Sequence, residues 1–455
     1  MSLTVFHSSA SKLSRLGVYK ARQSFEQCQV QTSFSEVLQI RVNVSGNLQT
    51  NFQSRMKGTY KGHITVIVLV LMIWTVKEYA DSNYWTRMDT NDFIPPAKYP
   101  GVSAESPRCP DVKTGMMRGR WRPRILTAQE KVDIGSFLKS ARHRTPKPMQ
   151  RSDGKCGNVA YENVYYIRAL CNPAGPTPCC YGDTCINKTP DDCKCPNCYD
   201  LRTEIHAEYS TWEPEDSRCQ VKNFTAQQAC VLLEGLTIAF VGNSFVRHVY
   251  TALLLLMTNY DINGAFIAGK PKDILCNGMY GFSDALCRER LKRQVTLCGG
   301  SVTVKMLEYN RALVATQFHK AFRSFLHKKK TMVLVGIGIH DHFKFASVFN
   351  EYMYPVIDMM RKSKASWPKM IWFSNHKFGI LKSPKMTTQS NSRVAAFNKR
   401  MSEALGKYHV PIFDTYNLTS DVSSSDGAHF GMGVNVMKAQ LLLNYLLEMK
   451  SKRYS

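Results

Sequence analysis

The sequence lacks the motifs by which proteins commonly hold nucleotides or nucleic acids. Gly336 and Gly338 come nearest to a nucleotide-binding glycine loop, but the third glycine and the helix start are missing. There is no zinc-finger, RNP or homeodomain-like pattern, and there is no internal repeat. We therefore expect a protein without a resident cofactor and without a nucleic-acid partner.

Acidic residues are scarce beside basic ones. The 455 residues include 60 Lys and Arg but only 35 Asp and Glu, so the net charge is +25. Residues 1–62 contribute +6 (8 basic and 2 acidic) and residues 63–455 the other +19 (52 basic and 33 acidic). A basic surface suits an acidic partner, such as a sialylated or sulfated glycan or anionic lipid. A basic surface that is merely solvated also fits this composition.

No apolar run is long enough to be an unambiguous membrane-spanning helix. The longest, 63–76, has 14 residues without Asp, Glu, Lys or Arg, whereas a spanning helix needs about 20. A signal-peptide core, a short signal anchor and a buried core helix all fit that length. Lys57 and Lys61 precede the run and no clear cleavage site follows it. We favour a single-pass type II membrane protein with a luminal domain in the Golgi or endoplasmic reticulum; a secreted protein is the alternative.

The apolar run divides the N-terminal part of the chain. Residues 1–62 are interpreted as a cytosolic tail or a gene-model extension, and residues 77–108, which contain several prolines, as a stalk. Potential N-glycosylation sites on the expected luminal side lie at Asn187, Asn223 and Asn417.

Fourteen of the 15 cysteines follow the apolar run. An even number in a segment expected to face an oxidising compartment predicts up to seven disulfides. Cys193, Cys195 and Cys198 have a spacing that zinc sites also use, but histidines at finger spacing are missing. Disulfides are therefore the favoured interpretation. We expect residues 109–235 to form a cysteine-rich part of the ectodomain, with a helix near 127–141.

Beyond position 235, short apolar runs alternate with amphipathic segments. We predict strands at 236–241, 302–307, 331–336, 369–374 and 410–413, and helices at 245–258, 284–294, 345–363, 389–406 and 433–449. This alternation predicts an α/β domain over 236–450, with a mostly parallel sheet and helices on both faces. Ligands of such sheets bind beyond the carboxyl ends of the strands.

One serine stands at a predicted strand-to-helix turn. The apolar run 236–241 is followed by Gly242, which permits a sharp turn, and then by Ser244 at the start of a predicted helix. A serine nucleophile needs a base to take its proton and a third group to orient that base. Asp426 and His429 lie together on one distant loop and can supply both. The alternative is that Ser244 only caps the helix.

The motifs around these residues resemble those of a known family. GNSFVRH (242–248) is similar to the G-D-S-x-x-R-Q block, and DGAHF (426–430) to the D-G-x-H block, of the PC-esterase family of SGNH/GDSL-like hydrolases. This family includes neurexophilin-and-PC-esterase proteins, sialate O-acetyltransferases and trichome-birefringence-like proteins. The likeness covers about residues 205–450, and further similar positions are Trp212, Pro214, Cys219, Phe224, Cys230, Asn435, Gln440, Asn444 and Tyr445, with a weaker likeness at Cys109, Gly119 and Trp121.

The resemblance implies an SGNH-like fold in which Ser244 is the nucleophile, His429 the base and Asp426 the residue that orients it. Two positions depart from the family pattern. Asn243 stands where the family usually has Asp, and His248 where it usually has Gln. These departures leave open a catalytically inactive copy of the fold.

Four more residues are candidate members of the same pocket. Gly338 and His340 follow a predicted strand in a segment similar to the family's N-x-G-x-H, which implies oxyanion-binding groups. Asn375 follows the next strand and is a further oxyanion or substrate contact, or part of an ordinary turn. Arg247 lies one turn after Ser244; it would hold a substrate carboxylate or phosphate, or anchor the Asp426 loop. The run 340–342 (His, Asp, His) has a metal site as a less favoured reading.

These observations predict a serine-dependent O-acyl esterase or transferase, most simply for O-acetyl groups on a glycan in the secretory pathway. A transferase would use an acyl donor such as acetyl-CoA, whereas an esterase would use water. The alternative from another class is an inactive extracellular or luminal ectodomain that binds a glycan or another ligand.

Overall fold

The computed structural model describes residues 109–140, 149–162, 164–268, 276, 280–283 and 285–451. All of them belong to the second of the two units into which the chain's contacts divide, which begins at Val70. The expected tail, apolar run and stalk (1–62, 63–76 and 77–108) lie outside the described residues. Within the described ranges, no helix has both the length and the apolar character needed to cross a bilayer.

The strands and helices follow one another along the chain as follows. The strands are β1 (Gly119–Pro123), β2 (Ala160–Tyr161), β3 (Val164–Arg168), β4 (Cys179–Tyr181), β5 (Thr184–Ile186), β6 (Ser210–Pro214), β7 (Thr237–Gly242), β8 (Gln294–Leu297), β9 (Val302–Leu307), β10 (Thr331–Gly336), β11 (Lys369–Phe373) and β12 (Ile412–Phe413). The helices are α1 (Ala128–Ser140), α2 (Ala226–Leu233), α3 (Ser244–Met257), α4 (Ile262–Ala265), α5 (Tyr280–Ser283), α6 (Ala285–Arg290), α7 (Ala315–Arg323), α8 (Tyr354–Lys362), α9 (Asn391–Gly406) and α10 (Met432–Ser451).

A six-stranded sheet has the order β12-β11-β10-β7-β9-β8. Strands β7, β9, β10, β11 and β12 are parallel, and β8 pairs with β9 in the antiparallel sense at the edge. Counted along the chain, the parallel strands have the spatial order 2-1-3-4-5 of a doubly wound sheet. The predicted mixed α/β architecture with a mostly parallel sheet is confirmed. The connection reverses direction between β7 and β10, which is where such sheets place a ligand crevice.

Helices cover both faces of this sheet, because successive side chains of a strand point to opposite sides. In β7, Ile238 and Phe240 join one hydrophobic cluster, which also contains residues of α3 and α10. Ala239 and Val241 join the other, with residues of α7, α8 and α9. All four strand residues have no exposed surface. A strand buried on both faces reads as a continuous apolar run, which is the pattern seen at 236–241.

The start of the described chain packs on the last helix. Strand β1 pairs with β6 so that Trp121 lies opposite Trp212, and the two indoles make an edge contact at 5.4 Å between ring centroids. The Trp121 indole N–H donates to the Leu418 carbonyl at 2.9 Å. On α10, the Gln440 amide bonds both the N–H and the carbonyl of Phe224, at 2.7 and 3.0 Å. Positions that carried the family resemblance therefore meet in one interface.

Seven disulfides join all 14 cysteines that follow the apolar run, as the even count predicted. The pairs are Cys109–Cys219, Cys156–Cys180, Cys171–Cys185, Cys179–Cys193, Cys195–Cys198, Cys230–Cys298 and Cys276–Cys287. The zinc reading of positions 193, 195 and 198 is therefore wrong, since a sulfur in a disulfide is no thiolate ligand. Among the described residues, metal-ligating groups cluster only at Cys156, Cys171 and Cys185, all of which are in disulfides.

Three local predictions differ from the structure. The helix expected at 284–294 ends with α6 at Arg290, and β8 follows it. Strand β8 is short, with Gln294 and Thr296 exposed, so it carries no apolar run in the sequence. Helices α2 and α7 were not predicted, and α7 is a short amphipathic helix that buries Phe318 and Phe322.

The three predicted glycosylation sites are exposed at the surface. Asn187, Asn223 and Asn417 are each accessible to solvent, which is necessary for a glycan on a folded domain. Their modification stays a prediction.

The Gln440 bridge gives a test of the interface between α10 and the chain around Phe224. Replacing Gln440 with Met leaves a buried backbone N–H and carbonyl without partners, so we expect the free energy of unfolding to fall by about 2–4 kcal/mol. Urea unfolding of the oxidised protein measures this. Lys450→Met, an exposed change on the same helix, is the control, with an expected effect within about 0.5 kcal/mol. Equal effects of the two changes would contradict the assignment.

Candidate active site

Ser244 lies at the turn between β7 and α3. Gly242 has φ of 151°, and a Cβ there would collide with the carbonyl oxygen of Gly336 on the neighbouring strand. Only glycine fits this crossing. Asn243 then caps α3, because its side-chain oxygen accepts from the Phe245 N–H at 2.9 Å. The backbone N–H of Ser244, the first residue of α3, has no acceptor within the helix and remains available for a ligand.

The structure brings together the three residues proposed for proton transfer. His429 Nε2 lies 2.8 Å from Ser244 Oγ, and His429 Nδ1 lies 2.7 Å from Asp426 Oδ2. The other carboxylate oxygen of Asp426 accepts from the backbone N–H groups of Ala428 and His429, both at 2.8 Å. The backbone of the loop therefore fixes the position of the Asp426 carboxylate, independently of its bond to the His429 imidazole.

The electrostatics of the loop favour an ionised Asp426. Burial alone would raise the pKa of this carboxyl, but interaction with His429 and two backbone N–H donors holds it well below its usual range. An ionised carboxylate only accepts hydrogen bonds, so His429 Nδ1 carries a proton toward it. Nε2 of the neutral ring then faces Ser244 Oγ with its lone pair, which is the arrangement that accepts the serine proton.

Gly338 and Asn375 lie beside this turn in different roles. Gly242 and Gly336 are paired in adjacent parallel strands, so Ser244 and Gly338 each lie two residues beyond the pair. Their backbone N–H groups are thereby candidates for one oxyanion site. The Asn375 amide donates to the Ile337 carbonyl at 3.0 Å and is buried. It supports the backbone next to Gly338, and its proposed direct contact with substrate stays a prediction.

His340 is exposed, whereas the side chains of the neighbouring Asp341 and His342 bond residues in other parts of the chain. The pKa of His340 is lowered to about 4. The side chain keeps solvent-exposed surface, but the surrounding protein removes part of its hydration, and Arg311 and His429 then repel the charged ring. Its ring is therefore neutral near pH 7. Asp341 Oδ1 accepts from the Ala312 N–H at 2.8 Å, and His342 Nδ1 lies 2.9 Å from the Thr388 hydroxyl. These contacts point the two side chains to different partners, which gives no support to a metal site here.

Arg247 pairs with a carboxylate that sequence reasoning missed. Its guanidinium lies 2.5 Å from Glu308 just beyond β9, and Arg293 lies 2.7 Å from the other oxygen of the same carboxylate. Arg288 is 3.4 Å away. Arg247 does not bond the Asp426 loop, so one of its two proposed roles has no geometric support. Three arginines against one carboxylate leave excess positive charge near the pocket.

Two further buried groups behind the loop were also missed as site residues. His376 lies 2.8 Å from the Ala428 carbonyl, and the Lys438 amine lies 3.0 Å from the other nitrogen of His376. Lys438 lies about two turns after the start of α10, and the helical periodicity alone does not predict which residues surround it. The signal in the sequence was a lone lysine on the face that also carries Asn435 and Leu442.

Comparison with known proteins gives structural neighbours only. No family model matches the chain, and no curated protein matches it. Among solved structures, the acetylxylan esterase Axe2 from Geobacillus stearothermophilus is similar at 14% identity and a TM-score of 0.27, over 47% of this chain and 94% of that chain. Two variants described as acetyl-xylooligosaccharide esterases match over the same shares, at 14% and 15% identity and the same TM-score. Values this low leave function to be argued from the geometry of the site.

The buried lysine gives a pH-dependent stability test. Burial lowers the pKa of Lys438 from 10.5 to about 7. Between those values the unfolded chain holds a proton that the folded protein lacks, so the stability of wild type should rise with pH through this window. Below pH 7 both states are protonated and the buried charge is most costly.

The variant Lys438→Met isolates this effect. Its stability relative to wild type should be highest below pH 7 and fall progressively between pH 7 and 10.5. Urea unfolding at pH values across and below that window provides the measurement. Burial holds the pKa values of His248 and His376 well below the usual range, so neither titrates in the folded protein there. A difference that does not vary with pH would mean that Lys438 titrates normally.

Proposed function

We propose that this protein is a serine-dependent O-acyl esterase or transferase, acting on O-acetyl groups of a glycan. The observation that carries the proposal is the continuous hydrogen-bonded series Ser244–His429–Asp426, with contacts of 2.8 and 2.7 Å. A serine that served only as a helix cap would not need a histidine at its hydroxyl. In this structure Asn243, rather than Ser244, caps the helix.

The first half of the reaction would form an acyl-enzyme. Ser244 Oγ attacks the carbonyl carbon of the ester while His429 Nε2 takes the hydroxyl proton, and Asp426 stabilises the imidazolium that forms. The negative charge that develops on the carbonyl oxygen is met by backbone N–H groups of Ser244 and Gly338, with neutral His340 as a further donor. Collapse of the intermediate breaks the bond to the alkoxy group, which leaves with the proton from His429.

The second half returns the enzyme to its starting state. His429 takes a proton from the acceptor, whose oxygen attacks the acyl carbon, and then protonates Ser244 Oγ as it leaves. Water as acceptor makes the protein an esterase, and a sugar hydroxyl makes it a transferase. A transferase would draw its acyl group from a donor such as acetyl-CoA. Both reactions use the same three side chains, so the acceptor alone separates them.

Contacts between residues support the proposed family, and the disulfides and potential glycosylation sites support the proposed compartment. The PC-esterase resemblance is supported by the way its scattered positions meet: Trp121 with Trp212, Gln440 with Phe224, and Cys109 with Cys219. An SGNH-like fold agrees with a doubly wound sheet that carries Ser244 after its first parallel strand. Seven disulfides and three exposed glycosylation sites are typical of secretory proteins. We therefore propose a luminal or secreted domain, anchored as a type II membrane protein through 63–76.

An anionic glycan is the proposed substrate class, because the pocket is flanked by basic side chains. Arg247, Arg288 and Arg293 share the single carboxylate of Glu308. Arg311 is close enough to His340 to depress its pKa. An acidic sugar near Ser244 would gain attraction from this excess charge, whereas a neutral one would not.

The triad is tested on protein produced in a secretory host. Wild type should hydrolyse an activated acetyl ester, and Ser244→Ala or His429→Ala should reduce kcat by about 10⁴-fold or more, to background. Asp426→Asn should lower kcat by about 10²–10⁴-fold, because it releases the orientation of His429.

Two controls separate loss of chemistry from loss of fold. Ser420→Ala changes a serine that takes no part in the hydrogen-bonded series Ser244–His429–Asp426, and it should leave kcat unchanged. A fluorophosphonate should label Ser244 in wild type and not in His429→Ala. If wild type is inert and unlabelled while its melting transition is intact, the binding-ectodomain alternative is correct.

The anionic preference is tested at Arg311. Replacing it with Gln should raise KM for an acidic O-acetylated sugar by about three- to tenfold at low salt, since it removes one exposed charge interaction of roughly 1 kcal/mol. KM for a matched neutral sugar should not change. Arg393→Gln, at an exposed arginine on α9, is the control. Equal KM changes for both sugars would argue against a charge effect.

A further inference from the structure

A buried lysine lies behind the loop that carries the acid and the base. Lys438 on α10 is 2% exposed, and its Nζ lies 3.0 Å from His376 Nδ1. Within the described residues, no carboxylate forms an ion pair with it, and burial is the only cause of its lowered pKa. Methionine would fill the same space without the cost of burying an amine. Packing alone therefore does not require a lysine at position 438.

The directions of the hydrogen bonds around His376 follow from its partners. The Ala428 carbonyl can only accept, so His376 Nε2 carries the proton and donates to it at 2.8 Å. His376 Nδ1 then has a lone pair and accepts from Lys438. Phe245 lies against one face of the His376 ring, at 3.8 Å between centroids, and Phe430 makes an edge contact with it at 5.1 Å. The Ala428 carbonyl and Lys438 thus select one tautomer of His376, and the two aromatic rings hold its orientation.

The carbonyl bonded by His376 belongs to a peptide unit that also holds the acid. The N–H of the same unit is that of His429, and it donates to Asp426 Oδ1 at 2.8 Å. A hydrogen bond to the oxygen of a peptide group polarises the group and strengthens its N–H as a donor. One arm therefore runs from Lys438 through His376 and this peptide to Asp426. The other runs from Ser244 through His429 to the same carboxylate.

We propose that Lys438 and His376 are positioning residues that hold the Ala428–His429 peptide, and with it Asp426 and the His429 ring, in the geometry that activates Ser244. Neither residue touches the reacting atoms. The proposal rests on the proposed serine chemistry and deepens it. Besides His376, the ionisable groups around this region include His248 and Arg247 on α3, Asp426 and His429 on the loop, and Lys382, whose amine interacts with Asp426.

Two substitutions of Lys438 separate the donor from the bulk of the side chain. Lys438→Met removes the donor and keeps most of the side chain's length, whereas Lys438→Gln keeps a neutral N–H donor. In the full-length protein we expect the Met variant to lower kcat for an activated acetyl ester by about ten- to a hundredfold with KM unchanged, since small displacements of a reacting group cost that much. The Gln variant should recover at least part of this loss. His376→Phe should behave like the Met variant.

A matched control lies on the same helix. Asn444 is buried, lies beyond Lys438 on α10 and bonds the backbone of Lys222 rather than His376. Asn444→Leu should lower the melting temperature at least as much as Lys438→Met but leave kcat per folded molecule unchanged. If Asn444→Leu lowers kcat to the same degree, or if Lys438→Met leaves kcat unchanged, Lys438 is a structural residue only.

A spectroscopic readout distinguishes failure of this proposal from failure of the proposed function. The proton on His429 Nδ1, bonded to Asp426, should resonate far downfield in the proton NMR spectrum and should disappear in Asp426→Asn. In Lys438→Met it should move upfield or broaden, and in Asn444→Leu it should stay. An inert, unlabelled wild type with this pattern would defeat the esterase proposal and retain the positioning role. A resonance that is the same in Lys438→Met and wild type would overturn the positioning role.

Discussion

The parallel pairing of β7 with β10 is the contact on which the site depends. It places Gly242 so close to the Gly336 carbonyl that no side chain fits between them. The chain must therefore leave β7 by a sharp turn, and α3 begins at once with Ser244. The same pairing places Gly338 next to Ser244 at the reversal point of the sheet order. A side chain at Gly242 would separate these strands and displace both proposed oxyanion donors together.

Helix α10 has two functions that follow from where its polar side chains lie. From its middle onward, Gln440 and Asn444 bond backbone groups of Phe224 and Lys222, so the helix supplies hydrogen-bond partners to that segment. At its N-terminal half, Lys438 supports the loop through His376. A helix that only filled the core would carry none of these groups, because each buried polar side chain costs free energy unless it is bonded. Together these bonds connect the segment around Phe224 and the loop that carries Asp426 and His429 to the same helix, α10.

Much of the sheet was predictable because its strands are buried on both faces. The run 331–336, which is almost wholly apolar, coincides with β10, whose residues are all buried. The segment 302–307 coincides with β9, in which buried apolar residues alternate with partly exposed ones. Strand β8 was missed because an edge strand with exposed Gln294 and Thr296 needs no apolar run. The number of disulfides followed from parity, but the pairing did not, since it depends on which loops fold together.

The candidate site was predictable only where its residues are close in sequence or stand in a motif. Ser244, Asp426 and His429 were identified from a strand-to-helix turn and a short loop. Glu308 and Lys438 were not, because their role comes from contacts across 61 and 62 positions of the chain. No local periodicity reports such a contact. The role of Arg247 was left open for the same reason, since its partner Glu308 is identified only by their contact in the folded protein.

The departure at Asn243 has a physical explanation that bears on whether the site is intact. The capping bond of α3 uses only the side-chain oxygen of this residue, which aspartate and asparagine share. Its amide nitrogen is buried and has no protein partner among the described residues. Asn243 lines the same small cavity as His376 and Lys438. An aspartate there would add a negative charge beside a lysine whose burial favours the neutral form. The Asn243 amide and the His248 and His376 rings are neutral. Asp426 is therefore the charged group in most direct contact with His429.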